Sequence, residues 1–282
     1  MSFRSAVSKS LLNIIPGIRG SSIAASWLFK LLPLNPFVDV CIGQKSFCLD
    51  LRYRSQLAIL KGWPVEPDEM NFVSQQLKSG DVFFDLGSNW GLYTAIASSM
   101  VGDDGLVVAV ELNPVPFAKL LKLINSSGSA NVLALNVGLS NVSADVVTIE
   151  NPWYRNDTGG FISSGRGKDQ IATRSLDKLW KQLGCPLVRM VKLDVEGFEP
   201  QVIAGGKEFL TNGVTNFVLV EVSEWTKIRS GIDYTRIYQD LMQCGFLSAY
   251  AFDQGKPSPV AMGKTPLPVN SNILFSKEVI GE

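Results

Sequence analysis

Three observations predict an α/β fold built on a mostly parallel, Rossmann-like sheet. Short apolar runs alternate with helical patterns from Asp81 onward, which is the rhythm of strand–helix–strand units. The first run, Val82 to Leu86, enters a turn with Gly87 and Gly91 spaced Gly-x-x-x-Gly, and the next run ends in an acid, Glu111. Helices are expected on both faces, with an antiparallel pair closing the C-terminal edge.

The elements follow in order. A helix over Asn71–Lys78 meets the turn Ser79-Gly80-Asp81. Strands are predicted at Val82–Leu86, Leu106–Leu112 and Val132–Leu139, separated by helices over Gly91–Met100 and Pro116–Ser126. Then come a strand at Val188–Asp194, a helix over Glu199–Leu210, a strand at Phe217–Val222 and a helix over Tyr234–Cys244. Leu247–Phe252 and Asn272–Ser276 form the antiparallel pair. Between 141 and 173 the pattern changes: Ala144–Glu150 alternates as a strand, and glycine, serine and polar residues follow to Asp169. Such an insertion reads as a hairpin and loop over the active edge, where segments of this kind select substrates. Its aromatic residues Trp153, Tyr154 and Phe161 are expected to pin the loop rather than line a pocket.

The domain reading is one accessory segment, residues 1–70, followed by one main domain, 71–282, carrying the insertion. The front is basic: Arg4, Lys9, Arg19 and Lys30 precede the first acid, Asp39. Pro16, Gly17, Lys30 and Pro33 interrupt its apolar groups short of the roughly 20 residues that a membrane span needs. A helical cap packed on the core stands evenly against an organelle-targeting segment or a peripheral membrane contact through residues 1–38.

Composition removes several function classes. Lysine plus arginine equals aspartate plus glutamate, at 26 each, and no basic cluster stands out, so a nucleic-acid partner is not expected. Histidine is absent, which excludes histidine triads, histidine metal sites and a histidine base. The four cysteines, Cys41, Cys48, Cys185 and Cys244, lack the paired spacing of a zinc site or a disulfide framework. No metal site is assigned, and a reducing, cytoplasmic setting is expected. Neither composition nor pattern fixes an oligomeric state.

The turn itself narrows the ligand. A dinucleotide site places glycines as Gly-x-Gly-x-x-Gly so that a pyrophosphate sits on a helix N-terminus. Here Trp90 stands where that close approach is needed, and Asp85 would repel a pyrophosphate. S-adenosylmethionine has no phosphate and carries a cationic sulfur, so an acid nearby suits it. Glu111 is placed to accept both ribose hydroxyls, Asn89 to donate or accept within the turn, and Asn136 to meet the adenine edge. The expected cofactor site is therefore Asp85, Gly87, Asn89, Gly91, Glu111 and Asn136. The plain alternative is a tight strand-to-helix turn with a capping acid.

At Val188–Leu210, VRMVKLDVEGFEPQVIAGGKEFL, the chain resembles the FkbM-type family of S-adenosylmethionine-dependent methyltransferases. Lys192, Asp194, Glu196, Gly197 and Glu199 match the family's pattern after its fourth strand. FFDLGSNWGLYT, VELNP and ATRSLDKL are also similar to it, over roughly Asp81 to Val222. Leu112 departs from the proline that the family commonly places there. The resemblance implies a class I methyltransferase fold and methylation of a hydroxyl on a sugar or secondary metabolite, so a small-molecule or glycan acceptor is expected.

Strand alternation puts Met190, Lys192, Asp194 and Glu196 on one face and Val191, Leu193 and Val195 on the other. A lysine and two acids at a central strand's end are costly to bury unless paired or useful. Asp194 is the leading general base; Lys192 is a second candidate for that task or for steadying an alkoxide, and Glu196 is the third catalytic candidate. Glu221 with Asp194 would make an incomplete metal shell. Two other functions remain: a non-catalytic binding module on the same fold, and a nicotinamide-dependent oxidoreductase, which the missing glycine and Asp85 disfavour.

Overall fold

The computed structural model describes residues 26, 29–31, 35–60, 66–150, 161–163, 169–212, 214–253, 256–261, 267–278 and 280. The chain enters through an antiparallel hairpin, β1 (Phe37–Ile42) and β2 (Lys45–Asp50), followed by helices α1 (Arg54–Leu60) and α2 (Pro67–Gln76). Next come β3 (Val82–Leu86), α3 (Leu92–Val101), β4 (Leu106–Val110), α4 (Pro114–Ser127) and β5 (Val132–Leu135). The insertion contributes β6 (Gly138–Leu139), β7 (Ala144–Glu150), β8 (Phe161–Ser163) and β9 (Asp169–Arg174). After α5 (Leu176–Gln182) come β10 (Met190–Leu193), α6 (Glu199–Ala204), α7 (Lys207–Thr211) and β11 (Phe217–Val222). Helices α8 (Trp225–Ser230) and α9 (Thr235–Gln243) precede β12 (Ser248–Asp253), β13 (Lys256–Pro259) and β14 (Ser271–Ser276).

The main sheet has eight strands in the order β13-β12-β14-β11-β10-β3-β4-β5. Strands β11, β10, β3, β4 and β5 run parallel, and β14, β12 and β13 are antiparallel. The order reverses at β3: β4 and β5 extend one way, β10 and β11 the other. In sheets of this kind ligands bind in the crevice at that switch, beyond the strands' carboxyl ends. This is the Rossmann-like arrangement that the class I resemblance implied, with the antiparallel C-terminal edge that the strand pattern predicted.

Strand parity sorts the core onto two faces. Phe84, Leu86, Val191 and Leu193 join the cluster around α5, α6, α7 and α9. Phe83 and Met190 join Phe72, Val73, Tyr93 and Ala97 of α2 and α3. Lys192 and Asp85 share the parity of that second face, so burying them there requires partners.

Several expected boundaries shift for identifiable reasons. Within residues 1–70, positions 37–50 form a hairpin that buries Val38, Phe47 and Leu49. Phe47 and Leu49 pack with Trp90, Ala95 and Leu123, joining the hairpin to α3 and α4. Residues 1–25, with most of the basic front, lie outside the described residues; no described helix is long and apolar enough to cross a membrane. The strand expected over Val132–Leu139 leaves the main sheet after Leu135, because β6 pairs with β9 in the insertion's own four-stranded sheet. The helix expected over Glu199–Leu210 divides at Gly205-Gly206. There α6 runs so close to Ser140 that a Cβ on Gly205 would lie 2.3 Å from the Ser140 carbonyl oxygen. Strand β13 lies outside the expected elements; its Pro257 and Pro259 are tolerated because it forms the sheet edge. Trp153 and Tyr154 of the loop lie outside the described residues.

Candidate active site

The turn after β3 is shaped by how near its backbone comes to the end of β10. Gly87 has φ 86°, and a Cβ there would lie 1.8 Å from the Asp194 carbonyl oxygen, so only glycine fits. Gly91 opens α3 at φ 99°, where a Cβ would meet Leu120 Cδ1 at 2.5 Å. Between them Asn89 takes the left-handed conformation, φ 50°, and aims its N–H at Glu111 Oε2, 2.8 Å away. Asn113 N–H donates to the other oxygen, Oε1, at 2.6 Å. Glu111 thus spans two loops and still has lone pairs to offer. Burial pushes its carboxyl up to about 7 against those two donors, which lower it.

The expected cofactor residues come together, with differences of role. Asp85 is 2% exposed. Its Oδ2 accepts from Thr94 Oγ1 at 2.5 Å, fastening β3 to α3, and burial raises it to about 6. Asn136 gives its amide protons to the Glu111 and Leu112 carbonyls at 2.7 and 3.0 Å, so it braces the loop after β4 and keeps only Oδ1 for a ligand. Trp90 does not crowd the turn; it is buried against the hairpin. Ser88 Oγ and Asn89 Oδ1 are buried without a protein partner. Two orphaned polar atoms beside a ribose-type carboxylate fit a polar nucleoside such as S-adenosylmethionine.

The second half of the site lies at the ends of β10 and β11. Lys192, 1% exposed, donates to Asp194 Oδ2 at 3.2 Å and to Asn272 Oδ1 at 3.0 Å, and its Nζ lies 5.3 Å from the Tyr93 ring centroid. Burial works against its charge, but the fields of Asp194, Glu66 and Glu221 outweigh that and hold it protonated above the ordinary lysine value. A lysine so held has no lone pair, which removes it as a general base and leaves it as a fixed positive charge.

Glu221, on β11, is driven up to about 9, first by the Asp194 charge and then by burial. Glu221 and Asp194 thus resist carrying two negative charges side by side, and a hydrogen bond joins them. Glu196 bends away: at φ 57° its carboxylate and its carbonyl both accept from Arg229 Nη1 at 2.6 Å. That clamp makes Glu196 a fastener between the β10 loop and α8, not a proton acceptor. Glu199 is fully buried and accepts the Val195 and Gly197 N–H groups at 3.0 Å each; burial pushes it to about 7. The Glu-Gly-x-Glu pattern thereby folds the loop that presents Asp194.

One oxygen from each of Asp194, Glu199 and Glu221 lies within 4.8 Å of the others, so these three are where a metal ion would be held among the described residues. Lys192 beside Asp194 and the two backbone N–H groups on Glu199 already compete for that space.

Tyr93, Glu66, Asn272 and Arg229 escaped the sequence reading. Tyr93 lies within the glycine motif and carried a signal; its hydroxyl donates to Glu66 Oε2 at 2.5 Å. Asn272 meets Glu221 only through the β11–β14 register, far along the chain.

Comparison with known proteins identifies the family. Residues 81–248 match the Methyltransferase FkbM domain, more than half of the chain, and the protein belongs to that family. The chain is 34% identical over 160 residues to hexuronic acid methyltransferase AglP of Haloferax volcanii. That alignment covers 56% of this chain and 62% of the relative, so the chain spans less than two thirds of its relative's length. Among solved structures it is similar to an S-adenosylmethionine-dependent O-methyltransferase from Thermotoga maritima, with 13% identity and a TM-score of 0.45, covering 87% of this chain and 86% of that one. Fibrillarin from Aeropyrum pernix, solved with natively bound S-adenosyl-L-methionine, shows 16% identity and a TM-score of 0.42 over 93% of this chain and 85% of its own.

Proposed function

We propose that this protein is an S-adenosylmethionine-dependent methyltransferase acting on a sugar hydroxyl. The observation that carries the reading is the position of the Lys192–Asp194 pair, at the end of β10, against the Gly87 turn that leads to Glu111. The family match supports it, as does a relative named for methylating hexuronic acid.

Glu111, Ser88 and Asn89 would hold the cofactor's ribose and amino-acid end, and Asn136 Oδ1 is left for the adenine amino group. When bound, S-adenosylmethionine supplies an electrophilic methyl group with a neutral thioether as leaving group. Most of the acceleration then comes from holding an acceptor oxygen in line at near-attack distance. Asp194 accepts the hydroxyl proton as the new C–O bond forms. Lys192, locked charged at 3.2 Å from Asp194, steadies the developing negative charge on oxygen without moving. Glu221, hydrogen-bonded to Asp194, keeps it oriented.

The test is calorimetry with S-adenosylhomocysteine and with NAD, on the protein and on Glu111→Ala. Binding of S-adenosylhomocysteine that the substitution abolishes is expected. Preference for NAD overturns the reading.

A further inference from the structure

The acceptor side of the site is ringed by acids joined in one chain of contacts. Glu66 accepts from Tyr93, whose ring lies beside Lys192. Glu69 accepts from Asn272 Nδ2 at 3.5 Å, Asn272 accepts from Lys192, and Lys192 reaches Asp194. Asp194 leads on to Glu221 and Glu199. One chain of contacts therefore links five carboxyl groups to Lys192.

Depth decides what an acceptor meets. Lys192 is 1% exposed, beneath the surface, whereas Glu66, Glu69, Asp194 and Glu221 are all partly exposed. The next cation along this edge, Arg229, holds both the carboxylate and the carbonyl of Glu196. Among the described residues, the crevice rim thus presents hydrogen-bond acceptors and negative charge, with its positive charge committed below.

Resting on the methyltransferase reading above, we infer that the acceptor is a neutral or amino sugar, and that this site discriminates against sugar acids. Ionised Asp and Glu only accept hydrogen bonds, so hydroxyl and ammonium donors match the rim. A carboxylate on the acceptor would bring a further negative charge against Glu69 and Asp194, while among the described residues Lys192 lies beneath the surface and Arg229 is held by Glu196, which is discrimination by like charge.

Matched methyl glycosides test this in the full chain with S-adenosylmethionine, reading release of S-adenosylhomocysteine. The probes are the neutral, 2-amino and uronate members of the gluco and galacto series. The neutral or amino member should exceed its uronate partner in kcat/KM by about tenfold or more, and Glu69→Lys should narrow that gap while Glu69→Gln narrows it less. A gap smaller than tenfold, or a uronate preferred, overturns the inference. If S-adenosylhomocysteine binds but no glycoside in either series is methylated, the sugar reading falls and takes this inference with it. If S-adenosylhomocysteine does not bind, the methyltransferase reading is what fails.

Discussion

Lys192 and Asp85 lie side by side in register across β10 and β3, yet each closes its hydrogen bonds elsewhere. Lys192 turns to Asp194 and Asn272, and Asp85 takes the Thr94 hydroxyl. The lysine is thereby the common counter-charge for carboxyls on three neighbouring strands and loops. Burying it without them would be prohibitive.

Lys192→Met is expected to destabilise the protein by about 2 to 3 kcal/mol. That is below the range for breaking a fully buried pair, because Asp194 is about one-third exposed and can stay hydrated. Thermal or urea unfolding checks it. An unchanged midpoint would show that the carboxyl network neutralises itself without the lysine.

Glu111→Gln keeps one acceptor oxygen and replaces the other with an amide that faces a backbone N–H. Since Asn89 and Asn113 N–H both point at this side chain, one donor loses its partner and the loop shifts. Affinity for S-adenosylhomocysteine should fall about tenfold or more by calorimetry, in a protein that still unfolds cooperatively. Wild-type affinity would remove Glu111 from the ribose site.

Asp194→Asn retains size and one acceptor but loses the capacity to take a proton at neutral pH. Turnover is expected to fall on the order of a hundredfold, with cofactor affinity within about threefold of wild type. Steady-state kinetics beside calorimetry separates the two. Full turnover would assign proton removal to water or another group.

Stability should decline as pH rises. Burial raises Asp85 to about 6 and Glu111 and Glu199 to about 7, and the Asp194 field with burial raises Glu221 to about 9. For a carboxyl raised on folding, the native state holds more protons than the unfolded one between the two pKa values. Its stabilising contribution is complete below the unfolded pKa, near 4, and is lost as pH climbs through the folded one. Lys192 is raised above the ordinary lysine value, so its contribution persists throughout this window. Scanning calorimetry of the cofactor-free protein should give a Tm higher at pH 6 than at pH 9 by about 5 °C. A Tm that rises toward pH 9 contradicts the assigned protonation.

The parts of the site legible in the sequence are those set by near neighbours. Val82–Leu86 announced itself as a buried strand, and the Gly87–Gly91 spacing as its turn. The acid closing the next run, Glu111, stood where strand length put it. Parity along β10 placed Lys192 opposite in face to Val191 and Leu193 before any packing was known. Glu196 misled because its pattern looks like a row of strand-end acids, whereas a left-handed backbone at that residue turns it toward Arg229 on a later helix. The hairpin over 37–50 was missed because its short alternation follows a segment of helical composition, and its burial depends on Trp90 and Leu123 far along the chain.

What the sequence determined by itself was the strand rhythm, the glycine turn and the identity of the acids, because each follows from backbone sterics and period within a few residues. Which acids stay charged, which carry a proton and which merely fasten loops was decided by tertiary structure alone. Those outcomes depend on burial and on partners such as Asn272, eighty residues from Lys192, and a field summed over distant segments leaves no mark in local pattern.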